Sequence, residues 1–124
     1  MQNPRTPETQ AAYDTFVQDQ TGKSDQFNFA DETVVAEYTH WLIIKNRFPY
    51  DTMVRVNDML VSKRAVSTFR ELSEVELAEY QVILDELSDS GPYDARIENF
   101  PKVQSVSKHV HVHLVCWHNT ASAQ

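Results

Sequence analysis

The sequence predicts an α+β domain in which an antiparallel sheet of about five strands carries a capped helix and an N-terminal helix. Three observations predict this class. Short apolar runs rich in β-branched and aromatic residues recur along the chain between turns. Two other segments begin with helix start signals. The resulting order α-β-β-β-α-β-β is typical of an antiparallel sheet with helices covering one face.

The first helix is predicted by Thr6-Pro7-Glu8, which combines a capping hydroxyl, proline at the first helical position and an acid in the first turn. The helix is expected from Pro7 to Gln20, with Gly22 as its stop. Its apolar side would carry Tyr13, Phe16 and Val17. Residues 23 to 32 are a polar connector.

Three strands are predicted next. Val34 to Tyr38 and Trp41 to Ile44 form a hairpin around the break Thr39-His40. A loop over Lys45 to Asp51 follows, since its proline has no N–H for a strand ladder. Met59-Leu60-Val61 is the third strand.

The second helix is predicted over residues 74 to 88. Ser73-Glu74-Val75-Glu76 is a capping box, and Ser90-Gly91-Pro92 ends the segment. The helix has an apolar face at helical spacing, made of Leu77, Tyr80, Ile83, Leu84 and Leu87. Residues 95 to 99 and 108 to 117 are the last two strands.

Length and composition define the class of protein. The 124 residues are expected to form a single domain overall, with an N-terminal helix and connector over 1–32 and the main domain over 33–124. A net charge of −7 argues against nucleic acid as a partner. No apolar stretch reaches the roughly 20 residues of a membrane helix. The single Cys116 fits a reduced, cytoplasmic protein, so we expect that location and no membrane partner.

The most informative feature is His109-Val110-His111-Val112-His113, which places three imidazoles at alternate positions of the last strand. Alternate side chains of a strand share a face, so the three rings would line up on one side of the sheet. Imidazole titrates nearest to neutral pH, and a row of three such rings indicates a chemical site.

Three interpretations of the row remain open from the residues alone. Two adjacent histidines can bind a metal ion, although residues two apart on a strand are separated by roughly 6.7 Å and the outer pair is too far apart to share it. The middle imidazole can instead be a nucleophile toward phosphorus, with its neighbours setting its tautomer. Finally, the histidines can be structural or lie in a dimer contact.

The row and its surroundings resemble the histidine triad family of nucleotide hydrolases and transferases. Residues 109–115 match the family signature His-φ-His-φ-His-φ-φ, where φ is apolar. Gln104-Ser105-Val106 is similar to the segment that precedes the triad, and Asn99 stands where an amide closes the preceding strand. Residues 46–50, Asn-Arg-Phe-Pro-Tyr, resemble the ribose-contacting turn of the diadenosine polyphosphate hydrolase branch. The similarity covers residues 33 to 117 and leaves out only the N-terminal helix.

The resemblance implies a role for each matching residue. His111 would attack the α-phosphorus and carry a transient nucleotidyl group, which water then removes. His113 would orient His111, and His109 would hydrogen-bond phosphate oxygens. The implied substrate-binding residues are Asn46 for the ribose, Asn99 for the phosphate, either Ser105 or Ser107 for the phosphate or leaving group, and Gln104. The resemblance implies no metal or other cofactor, and it implies a homodimer.

The chain departs from the family pattern at three points. One extra residue lies before His109, the loop from Phe100 to Lys102 has no glycine, and Asn57-Asp58 replaces the Pro-Gly-His that often begins the third strand. The enzyme hypothesis is hydrolysis or transfer of a nucleoside monophosphate group, acting on a dinucleoside polyphosphate or nucleoside phosphoramidate. The glycine-free loop favours the rival hypothesis, a nucleotide-binding module with little or no catalysis.

Four further aromatic residues and two histidines have simpler expectations. Trp41 and Trp117 are expected in the core or a dimer contact. His40 and His118 are expected to be exposed surface residues. Phe48 and Tyr50 either line a nucleobase pocket or anchor their loop.

Overall fold

The computed structural model of the protein describes residues 3–20, 29–100 and 109–118. They form an α+β fold with two α-helices and one five-stranded antiparallel sheet. The elements in chain order are α1 (Pro7–Gln20), β1 (Val34–Glu37), β2 (Trp41–Lys45), β3 (Val54–Ser62), α2 (Glu74–Ser90), β4 (Ala95–Ile97) and β5 (His111–Trp117). The strands lie in the order β1-β2-β3-β5-β4, and every neighbouring pair is antiparallel. The predicted α+β class, with an antiparallel five-stranded sheet and two helices, and the predicted order of elements are confirmed.

Several predicted boundaries are wrong. The third strand is longer than expected, because β3 begins at Val54 and runs through Asn57 to Ser62. β4 ends at Ile97, two residues before the predicted end. β5 begins at His111, so His109 lies just before the strand. α2 continues to Ser90 because its C-terminal cap, Gly91, still donates its backbone N–H to the carbonyl of Leu87 at 3.0 Å.

The main hydrophobic core lies between α2 and one face of the sheet. Its fully buried residues come from β2, β3, α2, β5 and the adjoining turns: Trp41, Ile43, Leu60, Val66, Leu72, Ile83, Leu84, Val110, Val112 and Leu114. Trp41 has no exposed surface, and its indole N–H donates to the backbone carbonyl of Glu76 at 2.9 Å. The core prediction for Trp41 is therefore confirmed. Trp117 ends β5 and keeps 37% of its surface exposed, so it lies outside the core, and the other expectation for it, a dimer contact, stays a prediction.

The predicted capping box of α2 is confirmed, but the buried face of the helix differs from the prediction. Ser73 Oγ accepts from the backbone N–H of Glu76 at 3.3 Å, and the Glu76 carboxylate accepts from the N–H of Ser73 at 2.7 Å. Arg64 donates to both carboxylate oxygens at 3.0 and 2.8 Å. Glu76 is therefore buried with its charge paired, while the neighbouring Leu77 is 40% exposed. The prediction that Leu77 faces the core is wrong.

The N-terminal helix α1 lies on the loop between β2 and β3. The rings of Tyr13 and Phe16 lie 5.5 and 5.2 Å from the ring of Phe48, centroid to centroid. Val17, also expected on the apolar side of the helix, is 44% exposed, so that part of the prediction is wrong. The helix bounds match the prediction.

Candidate active site

The three histidines lie on the face of the sheet that α2 leaves uncovered. Val112 and Leu114 of β5 pack in the core beneath α2. The histidines that alternate with them along the strand therefore point to the opposite side of the sheet. We call this side the histidine face, after its members His109, His111 and His113. Their exposed fractions are 4%, 1% and 1%. The rings of His111 and His113 are 5.4 Å apart, as expected for alternate residues of one strand.

His111 is held with one ring nitrogen engaged. Its Nδ1 lies 3.1 Å from the carbonyl oxygen of His109, and a carbonyl only accepts, so Nδ1 carries a proton and donates it. Burial lowers the pKa of His111 below its usual value of 6.5, and the nearby charge of His109 acts in the same direction. The neutral ring therefore has its lone pair on Nε2, which has no hydrogen-bond partner among the described residues. An unprotonated Nε2 is the form that a nucleophile requires.

His113 is held in the opposite tautomer by Asn57. The Asn57 side chain is oriented by the backbone, because its Oδ1 accepts from the N–H of Tyr50 at 3.0 Å and its Nδ2 donates to the carbonyl of Asp58 at 3.1 Å. Nδ2 also lies 3.1 Å from Nδ1 of His113. An amide nitrogen only donates, so Nδ1 of His113 accepts and the proton of the neutral ring is on Nε2.

The other nitrogen of His113 contacts Tyr50. The Tyr50 hydroxyl lies 3.2 Å from His113 Nε2, and the amide of Asn99 donates to the same hydroxyl at 2.9 Å. The Tyr50 and His113 rings are 4.5 Å apart and tilted by 31°. Tyr50 is 8% exposed, so it is a buried partner of His113. These contacts agree with the loop-anchoring role predicted for Tyr50, and its predicted role in a nucleobase pocket stays a prediction.

The environment of His113 disfavours its charged form strongly. Burial lowers the pKa of His113 to about 3, and the positive charges of His111 and Arg5 act in the same direction. A neutral His113 beside a neutral His111 leaves the pair uncharged at pH 7.

His109 is anchored to the neighbouring strand. Its Nδ1 lies 2.9 Å from the carbonyl of Ser62 at the end of β3, so this nitrogen donates. The ring of Phe29 meets it edge-on at 5.2 Å. The ring of His109 is therefore held between the end of β3 and Phe29.

The predicted substrate-binding residues have different positions. Asn46 lies in the turn after β2, where its Oδ1 accepts from the N–H of Phe48 at 2.9 Å and its Nδ2 donates to Asn57 at 3.2 Å. Asn99 lies two residues after β4 and reaches the site through Tyr50. The remaining predicted residues, Gln104, Ser105 and Ser107, lie outside the described residues.

The residues given simpler expectations are also placed. Phe48 packs on α1, so it anchors its loop. His40 is half-buried in the β1–β2 turn, where its N–H donates to Glu79 at 2.6 Å; the expectation that it is exposed is wrong. His118 is exposed as expected and bonds the carbonyl of Asp51 at 2.7 Å.

Two residues of the site were missed by sequence reasoning. Asn57 orients His113 through the contact of its side-chain amide with Nδ1 of the ring. Arg5, near the start of the chain, places its guanidinium carbon 5.0 Å from the centroid of the Tyr50 ring. Asn57 had a signal in the sequence, since a polar pair inside an apolar strand calls for a partner. Arg5 had none.

Searches for related proteins add no further information about the site. No family model matches the chain, and no curated protein matches it. In residues 3–20, 29–100 and 109–118, no three histidine, cysteine or acidic side chains converge as a metal site would require. Over the same residues, no helix has both the length and the apolar character needed to cross a membrane.

Proposed function

We propose that the protein is a nucleotide hydrolase or nucleotidyl transferase of the histidine triad type, acting through His111. The observation that carries the proposal is the neutral imidazole of His111, with Nδ1–H bonded to the His109 carbonyl and Nε2 unprotonated. A structural histidine has no need of a free lone pair in a buried row of three imidazoles. A nucleophile does.

The proposed reaction has two displacements at phosphorus. Nε2 of His111 attacks the α-phosphorus, so that a P–N bond forms and the P–O or P–N bond to the leaving group breaks. The leaving group departs with the electrons of the broken bond, and an amine leaving group takes its proton from solvent. Water then attacks the same phosphorus and gives up a proton to solvent, the P–N bond to His111 breaks with its electrons returning to Nε2, and a nucleoside monophosphate leaves. The positive charge that develops on His111 during the first step is compensated by the phosphate, and the Nδ1–H bond to the His109 carbonyl stabilises the imidazolium.

The other residues of the triad have supporting roles in this proposal. His109 would bond a phosphate oxygen. His113 carries its proton on Nε2 because Asn57 occupies Nδ1, which fixes the ring beside the nucleophile. Because His111 is 1% exposed, side chains around it would have to move for a substrate to reach Nε2. A homodimer in the cytoplasm belongs to the same proposal.

The decisive experiment measures turnover and binding separately. We expect the purified protein to release AMP from a diadenosine polyphosphate or from an adenosine phosphoramidate. The His111→Ala variant should lose this activity by more than about a thousandfold while still binding AMP, because the nucleophile is removed and the rest of the site remains. Val110→Ala is the matched control. Val110 lies just before β5, and its side chain is in the core on the other side of the sheet, so this variant should retain turnover.

Other results would select other functions. Binding of nucleotide by the wild type without turnover would support the rival nucleotide-binding module. Activity that disappears with a chelator and returns with zinc would contradict the metal-free mechanism.

A further inference from the structure

Arg5 brings a positive charge to the edge of the histidine site from outside the region that resembles the triad family. Its Nε donates to the carbonyl of Phe48 at 2.7 Å. Its guanidinium carbon lies 4.3 Å from the ring centroid of Tyr13 and 5.0 Å from that of Tyr50. Tyr50 in turn bonds His113 at 3.2 Å. A single aromatic ring therefore connects the guanidinium to the triad.

The backbone on both sides of Arg5 is fixed to the loop that carries Tyr50. Before it, the carbonyl of Pro4 accepts from the N–H and the hydroxyl of Thr52 at 3.0 and 2.7 Å. After it, the N–H of Thr6 donates to Oδ1 of Asp51 at 2.8 Å. The position of Arg5 is thus determined by bonds on either side, which is a requirement for a recognition residue.

The charge of Arg5 has no acidic partner. No carboxylate within the described part of the chain forms an ion pair with it. Arg47, on the β2–β3 loop that also carries Tyr50, does have an acidic partner, because it pairs with Glu32 at 3.0 Å. The charge of Arg5 also reaches the triad, since it contributes to the lowered pKa of His113. In a chain of net charge −7, an unpaired arginine beside neutral histidines is a local attraction for an anion.

We propose that Arg5 binds the phosphates of the substrate that lie beyond the phosphorus attacked by His111. The ligand class is a compound with at least two phosphates in a chain, because one phosphate would occupy the triad and the next would meet the guanidinium. Arginine suits this task, since its planar fork bonds two phosphate oxygens at once. This role rests on the proposed function for the position of the first phosphate. It makes the N-terminal segment part of the binding site.

The test compares ligands with and without a phosphate chain on the full-length protein. Isothermal titration calorimetry at pH 7 and low salt would measure the binding of adenosine, ADP and inorganic pyrophosphate. We expect Arg5→Gln to weaken ADP and pyrophosphate by about tenfold or more, the usual loss for one charge-assisted contact. Adenosine binding should be unchanged. Arg5→Lys should recover part of the loss because it retains the charge.

The matched control is Arg47→Gln. It removes an arginine from the β2–β3 loop that carries Tyr50, and this arginine is already paired with Glu32. It should change ADP binding by less than about twofold, because its guanidinium contacts Glu32, Phe16 and Phe48 and has no described contact with Tyr50 or the histidines. Thermal unfolding of each variant verifies that the fold is retained.

Three results would overturn the role of Arg5. The first is equal weakening of adenosine and ADP by Arg5→Gln, which would mean that Arg5 only supports the pocket. The second is an equal loss in Arg47→Gln, and the third is a wild-type protein that binds neither ADP nor pyrophosphate. The proposed function is judged separately. Arg5-dependent binding without turnover would refute hydrolysis alone, and turnover with an unchanged KM in Arg5→Gln would refute Arg5 alone.

Discussion

At the scale of single residues, the site holds two neighbouring imidazoles in opposite tautomers. His111 has its proton on Nδ1 because a carbonyl faces that nitrogen, whereas His113 has it on Nε2 because the Asn57 amide occupies its Nδ1. Burial keeps both rings neutral by lowering the pKa of each. The site therefore provides a lone pair on one ring and a fixed donor on the next. The two side chains are chemically identical, so the difference in tautomer comes from the hydrogen-bond partner of each Nδ1.

The buried His113 should make the stability of the protein depend on pH. Its folded pKa is about 3 against a usual value of 6.5, so between these values the unfolded state binds more protons. The stabilising contribution is complete above pH 6.5 and is lost as the pH falls toward 3. From pH 7 to pH 5 we expect His113 alone to lower the free energy of unfolding by about 2 kcal/mol.

Urea unfolding at both pH values, followed by tryptophan fluorescence, measures this difference. His113→Asn is the comparison, because it removes the titrating group and retains a polar side chain. The variant should lose about 2 kcal/mol less than the wild type between pH 7 and pH 5. Equal losses in the two proteins would show that His113 does not titrate in the folded state as its burial implies.

The sequence determined which residues of the site share a face, but not what they contact. Alternation along a strand is a local property, so the common side of His109, His111 and His113 follows from spacing alone. The partners of His113 are 56 and 63 residues away, at Asn57 and Tyr50. Such contacts depend on strand register, which the local pattern does not specify.

At the scale of elements, β3 shows why one strand was predicted too short. Asn57 and Asp58 have low strand propensity and interrupt an apolar run, which favours a break. In the fold each has a partner across the sheet, because Asn57 bonds His113 and Asp58 accepts from the Tyr93 hydroxyl at 2.5 Å. Tertiary hydrogen bonds therefore override local propensity at these positions. The start of α2 was predicted correctly, because its capping box is formed by residues only three positions apart.

The start of α2 offers a stability prediction. The Glu76 carboxylate accepts from Arg64 and from the N–H of Ser73, and these bonds, with Arg64 contributing most, lower its pKa from 4.5 to about 2. Glu76→Gln should lower the free energy of unfolding at pH 7 by about 1 to 2 kcal/mol, the loss for weakened bonds to a charged group. The unfolded carboxylate protonates first, so the advantage of the wild type is complete above pH 4.5 and disappears as the pH falls toward 2.

Thermal or urea unfolding at pH 7 and pH 3 measures this advantage. Glu74→Gln is the control, since Glu74 is an exposed acid of the same helical turn. It should change stability by less than about 0.5 kcal/mol. An advantage of the wild type over Glu76→Gln that is the same at both pH values would refute the charged pairing.

At the scale of the whole molecule, the two sides of the sheet differ. One side is closed by α2 over an apolar core, and the other carries the histidine face. The N-terminal segment is bound to the loop that leads from β2 into β3, and that loop carries Tyr50. The N-terminal segment and the histidine site therefore share this loop. The docking was not predictable, because it joins residues more than 40 positions apart.

The main polar link in this docking is Asp51, and its removal should loosen α1 without unfolding the sheet. The Asp51 carboxylate accepts from the N–H of Thr6 at 2.8 Å and from the hydroxyl of Thr9 at 2.5 Å, and these bonds lower its pKa. In Asp51→Ala, hydrogen exchange measured by mass spectrometry should increase in α1 by about tenfold or more. Such an increase is what the loss of one or two bonds to a charged group produces.

Exchange in β3 and α2 should be unchanged, because neither element depends on Asp51. Asp85→Ala, on the exposed side of α2, is the matched control and should leave α1 protected. Because α1 begins just after Arg5, the same Asp51→Ala variant should also bind ADP more weakly. Unaltered protection of α1 in Asp51→Ala would mean that aromatic packing on Phe48 alone holds the helix in place.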